Sequence, residues 1–216
     1  DVEVEMFDDR MEEIPYDELT NLVAITVETY TARRAYEISA EYRARGVPVI
    51  LGGMHPTLIP DEAQQHADSI FLGDAETGWA HVVEDAKRGR LQKTYQGPPG
   101  IGQIGGTMPR RDLFKGKGYL PLTLMQYSRG CRFACKFCAV SQYFERKTYI
   151  RRIDEVLQEI GEQERRFIFF IDDNIASDMK ALRELCHALI PMKIHWVSQA
   201  SLDVTREDSV EALARD

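Results

Sequence analysis

The sequence is short of positive charge, of cysteine and of long apolar runs, and each shortage excludes a class of protein. Its 27 Lys and Arg face 35 Asp and Glu, a net charge of −8 at pH 7. So acidic a chain is a poor partner for a phosphate backbone, and no nucleic-acid binding is expected. No apolar stretch approaches the roughly 20 residues that a membrane span requires. The opening segment DVEVEMFDDR has neither a basic start nor an apolar run, so no secretory signal is expected there. Four cysteines among 216 residues cannot frame a disulfide scaffold, and reduced thiols without an export signal give the cytoplasm as the expected location. What is present is a globular composition, 44% hydrophobic and 29% charged, which excludes a disordered or collagen-like chain. The length allows one large domain or two small ones.

Residues 1–97 alternate strand and helix signals. Val2–Phe7 reads as an alternating strand. Leu22–Glu28 (LVAITVE) is rich in β-branched residues and reads as a buried strand. Thr31–Arg45 carries Ala35, Ile38, Ala40 and Tyr42 near helical spacing and is stopped by Gly46. Val47–Leu51 is a strand running into Gly52-Gly53, and Pro60–His66 is a short helix with proline in its first turn. Ser69–Leu72 is a strand ending at Gly73, and Trp79–Lys87 a helix stopped by Gly89. This alternation predicts a parallel sheet with helices on both faces. Parallel strands gather their carboxyl-end loops on one edge.

From Gly97 to Gly118 there are seven Gly and three Pro, so residues 98–118 read as a linker. Within it Ile101, Ile104 and Leu113 are candidates to cover apolar surface. Beyond it the pattern resumes: strand Leu120–Tyr127, helix Ile153–Gln163, strand Phe167–Ile171, helix Met179–Leu189, strand Ile194–Ala200 and helix Arg206–Arg215. These are three βα units. A closed eight-fold barrel needs about 250 residues, so 119–216 predicts only part of one. A strand signal at residue 2 and a helical pattern with no stop signal at 209–216 predict a piece of a longer protein.

Three of the four cysteines fall within eight residues, in Ser128-Arg129-Gly130-Cys131-Arg132-Phe133-Ala134-Cys135-Lys136-Phe137-Cys138. The spacing CxxxCxxC directly follows a strand. Three thiolates from one short loop can hold three irons of a cubane cluster and leave the fourth open. Electron-transfer clusters and structural zinc sites, by contrast, are closed by four ligands. Cys186 lies mid-helix beside Leu185 and Leu189 and reads as a small buried hydrophobe, not the missing fourth ligand. Between Arg129 and Arg152 stand seven Lys and Arg (129, 132, 136, 146, 147, 151, 152) against one acid, Glu145. Such a field favours the thiolate and suits an anionic cluster or substrate; a solvated basic stretch is the plainer reading of Arg146–Arg152.

With this loop the sequence resembles the radical S-adenosylmethionine (SAM) enzymes over about residues 119–216. The resemblance implies that Cys131, Cys135 and Cys138 hold a [4Fe–4S] cluster whose fourth iron is chelated by the amino and carboxylate groups of SAM. One electron then cleaves the sulfonium to a 5′-deoxyadenosyl radical. It implies also that Phe137 packs near the adenine, that an electron donor such as flavodoxin or ferredoxin serves the cluster, and that the substrate is a small molecule. Where that family often has Gly-Gly-Glu after the second strand, to hold the SAM amino group, this chain has Asp172-Asp173-Asn174. Either aspartate could accept from an ammonium, or both could cap the following helix. Gln199 and Ser201, on one side of a strand by alternation, are candidates for SAM or substrate, or for simple polar pairing at a strand end.

The first 97 residues resemble the cobalamin-binding domain that often precedes the radical SAM barrel. Thr26 ends a strand and Gly52-Gly53 follows 26 residues on, as in that family. The implied architecture is α/β, a Rossmann-like parallel-sheet domain at 1–97 lacking its first strand, then the start of a partial (β/α) radical SAM barrel. The implied cobalamin contacts are Thr26, Thr29, Gly52, Gly53 and Glu76. The Asp-x-His-x-x-Gly segment that ligates cobalt in many such domains is absent. His55 is not in its place and reads as a surface or turn histidine. No GxGxxG opens a helix, which disfavours a dinucleotide site. The branch most resembled holds the anaerobic magnesium-protoporphyrin ester cyclase and hopanoid-modifying enzymes, implying radical methylation or oxidative cyclisation. Two other readings are radical SAM chemistry without bound cobalamin, and a zinc-stapled binding module with no catalysis.

Overall fold

The computed structural model describes residues 2–98 and 108–205. The helix expected at Arg206–Arg215 and the apolar positions Ile101 and Ile104 lie outside the described residues. Two compact units form, residues 2–98 with 109–119 and residues 120–205.

The first unit is a four-stranded, wholly parallel sheet in the order β1 (Val23–Thr26), β2 (Val49–Gly52), β3 (Ser69–Leu72), β4 (Thr94–Gln96). Strand alternation divides its core. Val49, Leu51 and Ile70 pack with Ala35, Ile38 and Tyr42 of helix α1 (Ala32–Ala44), whose apolar positions recur every three or four residues. Ile50 and Phe71 point the other way, to Val82 of α4 (Trp79–Lys87) and to Tyr95. Helices therefore cover both faces. Between β2 and β3 lie two short helices, α2 (Met54–Leu58) and α3 (Pro60–Ala63). Gly46, in the left-handed region at φ +78, stops α1.

Residues 2–7 are not a strand. Val2, Val4 and Phe7 are exposed, and an alternating pattern makes a strand only where a partner supplies the ladder bonds. No described strand does so here. Residues 8–16 instead pin themselves by side chains: Arg34 grips Asp9, and Tyr16 and Ile14 pack on the α1 core. Residues 109–119 pack with the same unit, Lys117 bonding Glu12 at 2.7 Å and Tyr119 bonding Asp8 at 3.0 Å.

The second unit holds a parallel sheet in the order β5 (Thr123–Met125), β8 (Phe167–Phe170), β9 (His195–Ser198). Helices α6 (Ile153–Gly161) and α7 (Met179–Leu189) bury Val156, Ile160, Leu182 and Leu185 against Met125, Ile168 and Phe170. Asp178 caps α7, accepting from the backbone N–H groups of Lys180 and Ala181. Between β5 and α6 the chain inserts an antiparallel hairpin that the periodicity does not reveal, β6 (Ser128–Gly130) with β7 (Thr148–Ile150). Its tip carries the cysteines and the short helix α5 (Ala139–Tyr143). Among the described residues no helix is long and apolar enough to cross a membrane.

Candidate functional site

In the first unit the carboxyl ends of β1, β2 and β3 meet at one edge, and backbone and short side chains knit them together. Val27 N–H donates to the Gly52 carbonyl and His55 N–H to the Val27 carbonyl. Thr57 Oγ1 donates to the Gly53 carbonyl at 2.8 Å and accepts from Gly73 N–H at 2.9 Å, stitching the second loop to the third. Gly53 sits at φ +100, where a side chain would meet the backbone of Val27 at about 3.0 Å, so the approach needs glycine. Thr26 and Glu76 are exposed at this edge, and Thr29 lies beside His55.

His55 is not a surface histidine. It is 3% exposed, because α2 turns its side chain inward beneath Tyr36. Its Nε2 lies 2.9 Å from the Tyr36 hydroxyl and its Nδ1 3.4 Å from Thr29 Oγ1. Tyr36 directs its proton to Glu62 at 3.1 Å. His55 Nε2–H then donates to Tyr36, and Nδ1 accepts from Thr29. Burial and the bond to Glu62 push the Tyr36 hydroxyl up to about 12, so the chain of bonds keeps its proton. Tyr36 also stacks on His66 at 3.9 Å. Polar context at the sequence level concealed this histidine; the signal available was the helical spacing of Tyr36 to the buried Ala32 and Ala35 face of α1.

In the second unit the segment after β8 holds the start of the cysteine loop almost residue by residue. Asp172 is 1% exposed and accepts from Tyr127 N–H, Ser128 N–H and Ser128 Oγ–H. Burial raises its carboxyl from the usual range, and those three donors oppose the rise. Asp173 accepts from Gly130 N–H at 2.7 Å. Asn174 donates from Nδ2 to Cys131 Sγ at 3.6 Å, and its Oδ1 accepts from Ala176 N–H and Ser201 N–H. Ser177 Oγ accepts from Arg132 N–H. Neither aspartate caps the following helix; Asn174 and Asp178 do that work. Gly130, at φ +83, lies so close to Lys147 that a side chain would overlap the carbonyl there.

Cys131, Cys135 and Cys138 are free thiols, Cys135 exposed and the other two half-buried, while Cys186 is buried in α7. Phe137 is 91% exposed. Among the described residues no three His, Cys, Asp or Glu side chains converge as a metal site. The donor set nonetheless fits a cluster: three unbridged thiols on one hairpin tip, its entry strand clamped, and an amide N–H aimed at the first sulfur. Ligation then requires the tip to close around the metal centre. Gln199 and Ser201 lie past the end of β9, where strand alternation no longer governs them. Gln199 accepts from Ile175 N–H through its carbonyl, and Ser201 meets Asn174.

The positive field read from the sequence is partly answered by acids, two of them local (Glu145 and Asp154) and two brought by the fold (Asp203 and Glu159). Arg132 pairs with Asp203 at 2.7 Å, Arg152 with Asp154, and Lys147 with Glu145. Arg151 pairs with the buried Glu159 at 2.7 Å and donates to the Gln126 carbonyl. A shallow cleft of about 490 Å³ in this unit is lined by Tyr127, Arg151, Asp154, Asp178 and Lys180 among others, and by none of the expected site residues. Its mixed charges select no ligand.

No protein-family model matches the chain. It is 30% identical over 205 residues to a bacteriochlorophyllide d C-12(1)-methyltransferase of Chlorobaculum tepidum, covering 90% of this chain and 45% of that relative. It is 32% identical over 177 residues to the bacteriochlorophyllide d C-8(2)-methyltransferase of the same organism, covering 77% and 38%. A hopanoid C-2 methylase of Rhodopseudomonas palustris is 24% identical, covering 79% and 34%. The chain thus spans less than half the length of these curated relatives. Among solved structures it resembles the radical S-adenosylmethionine methyltransferase TsrM of Kitasatospora setae. One TsrM structure has tryptophan substrate and a SAM analogue bound (TM-score 0.61, 15% identity, covering 82% of this chain and 41% of TsrM), and another has cobalamin and a [4Fe–4S] cluster (TM-score 0.63, 16% identity, 82% and 43%). The α/β fold is shared with TsrM, and the relatives by sequence are methyltransferases and methylases.

Proposed function

We propose that this chain belongs to a radical SAM methyltransferase that uses cobalamin and a [4Fe–4S] cluster, its first unit binding cobalamin and its second SAM. The observation that carries the reading is the hairpin tip with its three free thiols and no fourth, on a unit whose following segment holds the tip by its backbone. When bound, the cluster supplies one electron to SAM and cobalamin a centre for methyl transfer. Cys131, Cys135 and Cys138 would ligate the cluster. Exposed Phe137 is free to cover the adenine. Asp173, exposed and bonded through Oδ2 to Gly130, is a better partner for the SAM ammonium than Asp172, whose two oxygens are both taken. Gln199 and Ser201 stand beside that segment as further SAM or substrate contacts. In the first unit, Thr26, Thr29, Gly52 and Gly53 offer a sheet edge of small residues to the cobalamin tail, with the exposed Glu76 carboxylate beside them as a polar contact.

Methyl transfer is favoured over oxidative cyclisation because the named relatives are methyltransferases and methylases. A small molecule is the substrate class, and a tetrapyrrole side-chain carbon is the first to assay. The electron donor would be a flavodoxin or ferredoxin, and the cytoplasm is the compartment that keeps the thiols reduced. The test is anaerobic reconstitution of the full-length protein with iron, sulfide and cobalamin, followed by incubation with SAM and reductant. The expected result is about four irons per chain, a cobalamin absorption spectrum, and 5′-deoxyadenosine with a methylated product. Fully clustered protein that leaves SAM intact would overturn the enzyme reading; a clustered protein that excludes cobalamin would overturn its cobalamin half. Colourless protein holding zinc and no iron would replace it with a stapled binding module.

A further inference from the structure

We infer that Asn174 is a positioning residue of the cluster, its side-chain amide N–H hydrogen-bonding the sulfur of Cys131 and raising the cluster's reduction potential. The inference rests on the cluster reading above and adds a residue to it. Asn174 is buried, and its amide orientation is dictated from the other end. Two backbone N–H groups, of Ala176 and Ser201, point at Oδ1 at 3.2 and 2.9 Å, so Oδ1 is the oxygen and Nδ2 the donor. That donor has Cys131 Sγ at 3.6 Å, an ordinary length for N–H···S. The same segment fixes the neighbours on either side of the cysteine, Gly130 through Asp173 and Arg132 through Ser177. The sulfur and the amide are therefore held from both flanks and do not meet by chance rotation.

A hydrogen bond to a ligating sulfur withdraws negative charge from the cluster. It favours the reduced state, which carries one more electron, and so raises the potential. The donor thus makes it easier to load the electron that SAM cleavage consumes. Its Oδ1 bonds explain the residue's burial by themselves, but they leave the potential untouched, and this separates the two roles.

The substitution N174D keeps an oxygen for Ala176 and Ser201 and removes the N–H donor. In full-length, anaerobically reconstituted protein, a redox titration followed by electron paramagnetic resonance should show the N174D midpoint shifted negative. The reduced fraction at a fixed poise should fall about tenfold, equivalent to about 59 mV for a one-electron couple. Because an added carboxylate charge would also lower the midpoint, a second readout is needed. Wild-type protein grown on 15N-labelled asparagine should show a nitrogen hyperfine coupling to the reduced cluster, absent from N174D. Within these 216 residues Asn174 is the asparagine of this unit, and disappearance of the coupling in N174D assigns it to that side chain. An unchanged N174D midpoint, or a labelled wild type without the coupling, overturns the inference and leaves the cluster reading standing. Should N174D take up no iron, the coupling in wild type decides alone. Wild type that takes up no iron overturns both.

Discussion

The sheet edge of the first unit and the cysteine hairpin of the second stand at opposite extremes of preparation. At the edge, polar groups are spent on one another: Thr57 joins two loops, His55 joins Thr29 to Tyr36, and Tyr36 joins Glu62. At the hairpin, the polar groups of the frame are equally satisfied, but the three thiols at its tip are unbridged, Cys131 accepting from the Asn174 amide. The difference teaches where order resides before any cofactor binds. The edge presents a finished surface of glycine backbone and threonine; the hairpin presents a rigid base and ligands that converge only on a metal. Metal binding of this kind draws part of its free energy into ordering the ligands.

The sharpest way to break the comparison is to attack the hairpin's base. Replacing Glu159 by Ala strands the half-buried Arg151, whose guanidinium also holds the Gln126 carbonyl. A loss of about 3–5 kcal/mol is expected in denaturant unfolding, and a loss under 1 kcal/mol would mean that the base is not rigid. Asp172→Ala comes next, with about 3 kcal/mol expected, since it orphans two buried backbone N–H groups and the Ser128 hydroxyl. Hydrogen exchange should then accelerate at Tyr127 and Ser128 while β1–β3 keep their protection. At the edge, His55→Ala should cost about 1–3 kcal/mol and speed exchange at α2. An unaffected unfolding midpoint would show that the edge is not closed upon itself.

The smallest effect on the fold is expected at the tip. Cys135→Ser should change stability by less than about 0.5 kcal/mol, as for an exposed side chain without a structural bond. The same variant should lose most of its iron on anaerobic reconstitution, whereas Cys186→Ala should retain iron and lose stability instead. If Cys135→Ser and Cys186→Ala exchanged these outcomes, the assignment of open tip and closed core would be reversed.

Much of the architecture was legible because it depends on local pattern. Trp79–Lys87, Ser69–Leu72 and Met179–Leu189 fall where periodicity and stop signals put them. The failures share a cause. Val2–Phe7 has a strand's alternation and no partner; Ser128–Gly130 and Thr148–Ile150 have a partner and too few residues to show alternation. Strands are made by ladders, and a ladder partner can be distant in sequence. The basic stretch from Arg129 to Arg152 misleads in the same way, for Asp203 and Glu159 reach it only through the fold.

The sequence by itself determined the chemistry on offer: three thiols at CxxxCxxC, an acidic pair and an amide after an apolar strand, and glycines where parallel strands end. Residue types and spacing suffice for that, because donors are fixed by covalent structure. Only the tertiary structure decided how those groups are spent. It turned Asp172 into a backbone clamp, buried His55 against Tyr36, and aimed the Asn174 amide at Cys131. The physical reason is that a buried polar group must find a partner, and partners brought together across 19 to 44 residues are set by packing, which no local window of sequence records.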